Sequence, residues 1–142
     1  MSTIFGRILA GEAPASFVYR DEQVAAFMDI QPVTPGHVLV VPIQPAVSLA
    51  ELDEVAAAHL FVVAQRVAVA LRASGLRCEG VNLFLADGAA AGQDVFHVHL
   101  HVFPRYAGDG FGLRLPPRYH HPPSRAALDE AAAQIRAALA VS

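Results

Sequence analysis

The 142-residue sequence predicts an α+β fold with a mainly antiparallel, five-stranded sheet and two main helices. Five short segments rich in β-branched and aromatic residues, most of them separated by tight turns, predict the strands. Two longer segments carry apolar residues at helical spacing and predict the main helices. With 54% hydrophobic and 16% charged residues, the chain has the composition of a packed globular protein, and its length suits one domain.

The N-terminal part is predicted to hold a short helix followed by three strands. Residues 4–9 place isoleucine, phenylalanine and leucine side chains at helical spacing, and Gly11 and Pro14 end the helix. The three strands are predicted at residues 17–19, 24–28 and 37–41. A turn joins the first two strands, and Pro42 closes the third.

The first main helix is predicted to begin after Ser48, which forms a Ser-x-x-Glu capping box with Glu51. Apolar residues then keep to one face for about 20 residues, until Gly75 ends the helix. His59 falls on this apolar stripe and is interpreted as a packed or half-exposed helical residue. The second main helix is predicted after Ser124, because serine is a preferred N-cap residue.

The last two strands are predicted on either side of a loop bounded by glycines. They lie at residues 81–85 and 94–103, and the loop lies at 87–92. Because the loop is short, the two strands are expected to pair in the antiparallel direction. Pro104 is predicted to end the second strand, and residues 106–123, rich in glycine and proline, are expected to be irregular.

Charge and cysteine content narrow the classes of partner. The net charge is −3 and the sequence has no basic stripe, which argues against a nucleic-acid partner. The apolar run at 55–65 is about half as long as a bilayer span, so no membrane partner is predicted. The single cysteine, Cys78, fits a packing residue better than a nucleophile, and a reducing, cytoplasmic setting is expected.

Three histidines alternate with aliphatic residues in the last predicted strand. His97, His99 and His101 are separated by Val98 and Leu100, so an extended backbone directs all three rings to one face. With 7 histidines in the chain, this spacing arises at random with a probability of about 0.02 over the whole sequence. An exposed ladder of polar residues would explain the alternation, but not the choice of histidine each time.

Two chemical interpretations of the histidines are open at this point. Imidazoles at alternate strand positions can bind zinc, with a carboxylate such as Asp94 or Asp87 completing the ligand set. Alternatively, a neutral imidazole attacks phosphorus near neutral pH, provided that one ring nitrogen is free and an acceptor holds the other. The second chemistry also needs a proton donor for the leaving group.

The surrounding segment decides between them, because residues 92–105 read GQDVFHVHLHVFPR and resemble the signature of the histidine triad (HIT) family of nucleotide hydrolases and transferases. That signature is His-φ-His-φ-His-φ-φ, where φ is apolar, and a Gly-Gln pair often precedes it. The resemblance extends to residues 27–42 and to residues 4–8, which look most like the Hint branch of the family. It implies a single HIT-like domain over 1–142, with its core at 3–105 and a variable segment at 106–142.

The resemblance implies a role for each histidine. His99 would attack the α-phosphorus and form a nucleotidyl-histidine intermediate, which water hydrolyses. His101 would donate a hydrogen bond or a proton to the leaving group, while His97 and His37 would support and orient the site. Asp29 matches the acid that accepts hydrogen bonds from the ribose hydroxyls. The other nucleotide-binding residues implied are Ile4, Phe5, Ile8, Phe27 and Ile30 around the base, and Gly92, Gln93 and Asp94 around the phosphate.

The activity that the resemblance implies is cleavage at the α-phosphate of purine nucleoside phosphoramidates or dinucleoside polyphosphates. No cofactor and no metal are expected. The family pattern also implies a homodimer in which the sheet extends from one subunit to the other. Two alternatives are a nucleotide-binding protein with little turnover and a metal-binding protein that uses the histidine strand.

Three features of the chain depart from the family pattern. Ala86 stands where an asparagine or glutamine amide is common, and Asp94 stands where serine or threonine is common. A carboxylate beside a phosphate is unfavourable unless it is protonated, paired or turned away. Thr3 and Gly6 replace a zinc-binding cysteine pair, so no zinc site is expected at the N-terminus. After Arg105 the chain is locally basic and suits either a contact to a second phosphate or a solvated loop.

Overall fold

The computed structural model describes residues 2–141, which form one compact unit up to Gly110 and a second from Phe111 onwards. The elements of the first unit are α1 (Ile4–Leu9), β1 (Phe17–Arg20), β2 (Val24–Met28), β3 (Val38–Pro42), α2 (Glu54–Ala73), β4 (Gly80–Leu85) and β5 (Leu100–Arg105). The second unit contains the helix α3 (Arg125–Leu139). The prediction of a single domain over 1–142 stays a prediction.

The strands form one antiparallel sheet in the order β1-β2-β3-β5-β4. The first four strands of the chain lie within one residue of their predicted positions, and α2 and α3 are the two main helices. The α+β class predicted from the sequence is therefore confirmed. The order leaves β1 and β4 at the edges of the sheet, and its extension across a dimer stays a prediction.

Both faces of the central strands are buried, because alternate residues of each strand enter different cores. In β2, Val24 and Ala26 belong to the core beneath α2, whereas Ala25 and Phe27 belong to the core that contains α1. The buried residues of α2 are Leu60, Val63, Ala64, Val67 and Leu71. The buried residues of α1 are Phe5 and Ile8.

The predicted capping box at the start of α2 is wrong. Ser48 makes no side-chain cap, and it precedes only a short turn at Leu49–Glu51. The helix begins at Glu54, where the Asp53 carboxylate accepts hydrogen bonds from the amides of Val55 at 3.1 Å and Ala56 at 3.2 Å. A carboxylate that accepts two amide protons at the positive end of the helix dipole outcompetes the earlier serine.

The prediction of a strand at 94–103 ended by Pro104 is also wrong. β5 begins at Leu100 and continues through Pro104 to Arg105, so His97 and His99 lie just before the strand. Proline is tolerated there because β3 pairs with β5 only as far as Val102, which leaves β4 as the neighbour at Pro104. The predicted antiparallel pairing of the last two strands is confirmed.

By length and composition alone, α2 meets the requirements of a membrane-spanning helix. In the structure its buried side chains pack on the sheet, which is the arrangement of a core helix in a folded domain.

The N-cap prediction for the second main helix is confirmed. The Ser124 hydroxyl accepts a hydrogen bond from the Ala127 amide at 3.1 Å, and α3 follows from Arg125. The segment before it is irregular apart from a turn at Pro117–His120, as its glycine and proline content predicts.

Candidate active site

The three histidines of the signature lie side by side on the α1 side of the sheet. His97 and His99 are almost fully buried, with 1% and 3% of their surface exposed, and His101 is half-buried on β5. The rings of His99 and His101 are 4.9 Å apart between centroids. Phe5 of α1 packs edge-on against His99 at 5.0 Å, which fixes the plane of that ring.

Backbone carbonyls determine which nitrogen of His97 and of His99 carries a hydrogen. Nδ1 of His99 lies 2.8 Å from the His97 carbonyl oxygen, so this nitrogen donates. In a neutral ring Nε2 of His99 then keeps a free lone pair. Nε2 of His97 donates to the Pro42 carbonyl at 2.8 Å, which ties the histidine segment to the end of β3.

A chain of hydrogen bonds gives His101 the opposite tautomer. The Val33 amide donates to Nδ1 of His37 at 3.0 Å, so the neutral His37 ring carries its hydrogen on Nε2. Nε2 of His37 donates to Nδ1 of His101 at 2.9 Å. His101 therefore carries its own hydrogen on Nε2. The site pairs a bare Nε2 on His99 with a protonated Nε2 on His101.

Burial keeps these supporting rings neutral near pH 7. Desolvation lowers the pKa of His37, although the Asp29 carboxylate acts in the opposite direction. It also lowers the pKa of His97. Burial, reinforced by the neighbouring His99 and His37, lowers the pKa of His101 to about 4. The hydrogen bonds determine the tautomer of each histidine only if the rings are neutral, and burial supplies that condition.

A cavity of about 360 Å³ opens in front of His99 and His101. Six of the predicted nucleotide-binding residues besides Asp94 line it: Ile4, Phe5, Ile8, Phe27, Asp29 and Ile30. One part of its wall is therefore apolar and another carries two imidazoles and two carboxylates. This division matches a ligand with a flat apolar part and a polar part.

Several residues of the cavity were not predicted from the sequence. They are Ala13, Pro14, Met28, Gln31, Leu39 and Val95. Leu39 pairs with His101 across β3 and β5, so both side chains emerge on the same face of the sheet. The alternation of β3 would have identified Leu39 only if the pairing register had been known. Val33, which fixes the His37 tautomer through its amide, carries no side-chain signal at all.

Asp29 follows β2, and its two carboxylate oxygens have different surroundings. One carboxylate oxygen accepts a hydrogen bond from the Gln31 amide at 2.8 Å and shapes the turn. The other oxygen lies 3.6 Å from Nε2 of His37, at the wall of the cavity. The contact to ribose stays a prediction.

The side chain of Gln93 is turned away from the cavity, so in this conformation it does not contact a phosphate bound there. Its oxygen accepts a hydrogen bond from the Gly88 amide at 2.8 Å, and its nitrogen donates to the carbonyls of Val47 at 2.8 Å and Val95 at 3.1 Å. A buried amide must satisfy its donors and acceptor in this way, so Gln93 fixes the loop. Gly92 adopts a φ of +96°, which favours glycine, and a phosphate contact through the loop backbone stays a prediction.

Asp94 lies beside the bare nitrogen of His99. One of its carboxylate oxygens is 3.7 Å from Nε2 of His99, and its side chain is 82% exposed. Ala86, the other unusual position near the loop, is buried.

The hydrogen bonds within one cluster of potential ligands do not suit a metal ion. Asp29, His37 and His101 each place one ligand atom within 4.8 Å of the others. A histidine ligand normally donates its second nitrogen to an acceptor, but Nδ1 of His37 receives the Val33 amide instead. Asp87, a carboxylate considered for such a site, accepts from the Leu49 amide at 3.1 Å. At the N-terminus, Thr3 caps α1 by accepting from the Gly6 amide.

Residues 10–108 match the HIT domain family, and the chain therefore belongs to the HIT family. This family defines the class of protein as one of nucleotide hydrolases and transferases. The sequence resemblance identified from the two motifs is confirmed.

Solved structures similar to the chain carry the same fold. A HIT family protein from Bacillus anthracis is 38% identical, with a TM-score of 0.87 over 95% of each chain. A Zn-bound histidine triad family protein from Mycobacterium smegmatis is 44% identical, with a TM-score of 0.76 over 82% of this chain and 84% of that one. A histidine triad nucleotide-binding protein from Candida albicans is 26% identical, with a TM-score of 0.85 over 98% of each chain.

Proposed function

We propose that the protein cleaves the α-phosphate linkage of purine nucleoside phosphoramidates or dinucleoside polyphosphates through a nucleotidyl-histidine intermediate. The observation that carries this proposal is the pair of complementary tautomers at the wall of the cavity. His99 offers a lone pair at Nε2, and His101 offers a hydrogen at Nε2. Nucleophilic displacement with departure of a basic group requires one of each.

The proposed first step forms a bond between Nε2 of His99 and the α-phosphorus. The bond from phosphorus to the leaving nitrogen or oxygen breaks, and its electron pair stays on the leaving atom. That atom takes up one proton, for which Nε2 of His101 is the donor. Water then attacks phosphorus and breaks its bond to Nε2 of His99. The hydroxyl stays on phosphorus and the other proton returns to Nε2 of His101, so one water molecule is consumed overall. The carbonyl of His97 keeps Nδ1 of His99 oriented throughout.

The remainder of the cavity suits a nucleoside. Its apolar wall includes Ile4 and Ile30, which expose aliphatic surface to a purine, while Phe5 and Phe27 are buried behind them. The outward oxygen of Asp29 is an acceptor for the ribose hydroxyls. The backbone amides of Gly92 and Gln93 donate within the loop, to the carbonyls of Ala89 at 3.0 Å and Gly88 at 3.2 Å, so a phosphate contact through them requires the loop to rearrange.

An apolar surface supports the proposed homodimer. Val55, Phe61 and Val69 of α2 are exposed, as are Leu83 and Phe84 of the edge strand β4. A second copy that pairs with β4 would extend the sheet and cover apolar side chains. We also propose a cytoplasmic location and a small nucleotide, rather than nucleic acid or membrane, as the partner.

A nucleotide-binding protein with little turnover is the second candidate. The observation that favours it is the Asp94 carboxylate, 3.7 Å from the attacking nitrogen, where it disfavours an anionic phosphate. Binding of AMP without product from any nucleoside phosphoramidate would identify this second function.

Trapping of the intermediate tests the proposed function. Protein mixed with adenosine 5′-phosphoramidate and quenched in alkali should gain the mass of one adenylyl group, located on His99 by peptide mapping. His99→Asn should show no adduct and lose activity by a factor of about 10⁴ or more. His59→Gln, which alters a histidine outside the cavity, is the matched control and should form the adduct. Full turnover by His99→Asn would exclude the mechanism.

A further inference from the structure

Asp94 lies next to the nitrogen of His99 that would attack a substrate, so its carboxylate would be close to the bound substrate. Its carboxylate oxygen is 3.7 Å from Nε2 of His99, the nitrogen with the free lone pair. Asp94 and both histidines line the same cavity. Its negative charge also acts on His101, where it opposes the lowering of the pKa caused by burial. The Asp94 charge therefore acts electrostatically on both His99 and His101, the two residues of the proposed reaction.

The charges around the cavity are unusually one-sided for a site that takes a phosphate. Its lining residues in the described part of the chain include the carboxylates of Asp29 and Asp94 and no arginine, and the sequence contains no lysine. Arg105, the basic residue next to the signature, donates to Asp109 at 2.6 Å and to Asn82 at 2.6 Å. Each further negative charge placed beside Asp94 is disfavoured.

We propose that Asp94 determines leaving-group specificity by selecting substrates whose leaving group carries a positive charge and disfavouring those that leave as a polyphosphate. This inference rests on the proposed function and narrows its substrate class to nucleoside phosphoramidates of cationic amines. In an in-line displacement the leaving amine lies across phosphorus from Nε2 of His99, so an ammonium group must sit at the end of a flexible chain to reach back to the exposed carboxylate and offset the charge of the α-phosphate. The terminal phosphates of a dinucleoside polyphosphate would meet the same carboxylate with several negative charges.

The expected size of the effect follows from the exposure of Asp94. Two unit charges 4 Å apart in bulk water interact by an amount equivalent to about a fivefold change in an equilibrium constant. Because the side chain is 82% exposed, bulk water is the appropriate medium. The effect should shrink as salt increases, since exposed charges are screened.

The test uses two adenosine 5′-phosphoramidates of equal length, one of 1,3-diaminopropane and one of butylamine, which differ in the terminal charge of the leaving group. The wild-type protein should favour the cationic substrate in kcat/KM by about fivefold at low ionic strength. Asp94→Asn should reduce that ratio to about one and should raise kcat/KM for diadenosine tetraphosphate about threefold or more. Asp53→Asn keeps its helix cap, removes a carboxylate outside the cavity and should leave the ratio unchanged.

A binding measurement separates the inference from the proposed function. Asp94→Asn should tighten the binding of AMP about threefold or more while leaving that of adenosine unchanged. If the wild type and Asp94→Asn cleave both amides with the same preference for the cationic one, the proposed role of Asp94 is overturned and the proposed function is not affected. Cleavage of diadenosine tetraphosphate but of neither amide by the wild type would overturn this inference and leave the proposed function standing. If the wild type cleaves none of the three substrates, the proposed function fails and this inference fails with it.

Discussion

The two faces of the sheet are built from the same strands but hold different kinds of residue. Towards α2, β3 and β5 present the pair Val38 and Val102, within a core whose buried members are all aliphatic. Towards α1, the next pair along these strands is Leu39 and His101, which line the cavity. Because side chains alternate between the two faces of a strand, one face of the sheet holds core residues and the other holds residues of the candidate active site. Substitutions on the two faces should therefore change different measurements.

Each side of the sheet has one contact between an aspartate and a histidine, and the two contacts differ in the same way as the two faces. Beside α2, His59 donates to Asp21 at 2.5 Å, and Tyr19 donates to the same carboxylate at 2.6 Å, which satisfies the oxygen fully. On the α1 side, His37 lies 3.6 Å from Asp29 because its hydrogen points to His101 instead. The first contact joins α2 to the turn between β1 and β2, whereas the second leaves a carboxylate oxygen available to a ligand.

After the loss of His99 itself, the largest effect is expected from removal of the proton donor on the α1 side. His101→Phe should lower kcat for an alkylamine phosphoramidate by a factor of about 10² to 10⁴, because the leaving amine would lose its proton donor. The same variant should lose much less activity on the p-nitrophenyl ester of AMP, whose leaving group departs without a proton. Steady-state kinetics with both substrates measures the difference. An equal loss on both would mean that His101 acts in binding instead.

Much of the fold could be predicted because the signals were local. The period of two in β2 and β3 and the long apolar stripe of α2 each identify one element. The beginning of α2 differs from its predicted position because Ser48 and Asp53 both suit an N-cap, and the Asp53 carboxylate accepts two amide hydrogens where the Ser48 hydroxyl accepts none. The end of β5 differs from its predicted position because Pro104 is acceptable only beyond the part of β5 that pairs with β3.

The sequence predicts most of the residues of the site, but it does not predict the hydrogen bonds between them. The alternation of histidines identifies three of the rings, but the tautomers depend on a carbonyl, an amide and a fourth ring from distant positions. Val33 and His37 act on His101 across 64 or more residues of sequence, and no spacing rule connects them. Gln93 belongs to the same motif as His97, yet its amide is used within the loop. Which side chains face the cavity is a property of the fold.

A smaller, purely structural effect is expected on the α2 side. Leu60→Ala should lower the free energy of unfolding by about 3 to 4 kcal/mol, because the side chain is 3% exposed in the aliphatic core and leaves a cavity. Val55→Ala, on the exposed side of the same helix, should cost less than about 1 kcal/mol. Urea unfolding monitors both. The folded fraction of Leu60→Ala should keep the wild-type kcat, and a large fall in kcat would break the separation of the two faces.

Acidification should act on the two faces in different pH ranges. The pKa of His101 falls from its ordinary value of 6.5 to about 4 in the folded protein, and burial lowers those of His37 and His97 too. Between these values the unfolded chain binds more protons, so stability is complete above pH 6.5 and is lost as the pH falls towards 4.

The matched variants separate these contributions. The loss from His101 alone should be about 3 kcal/mol, and His101→Phe should remove that part of the pH dependence. Desolvation opposes ionisation of Asp21, but hydrogen bonds from His59 and Tyr19 hold its pKa well below the ordinary 3.8. The stability that Asp21 contributes is therefore lost only below about pH 4, and Asp21→Asn should flatten that acid limb without changing the higher one. Unfolding curves between pH 2 and 8 measure both limbs. Identical curves for the wild type and His101→Phe would show that the histidine face carries no such penalty.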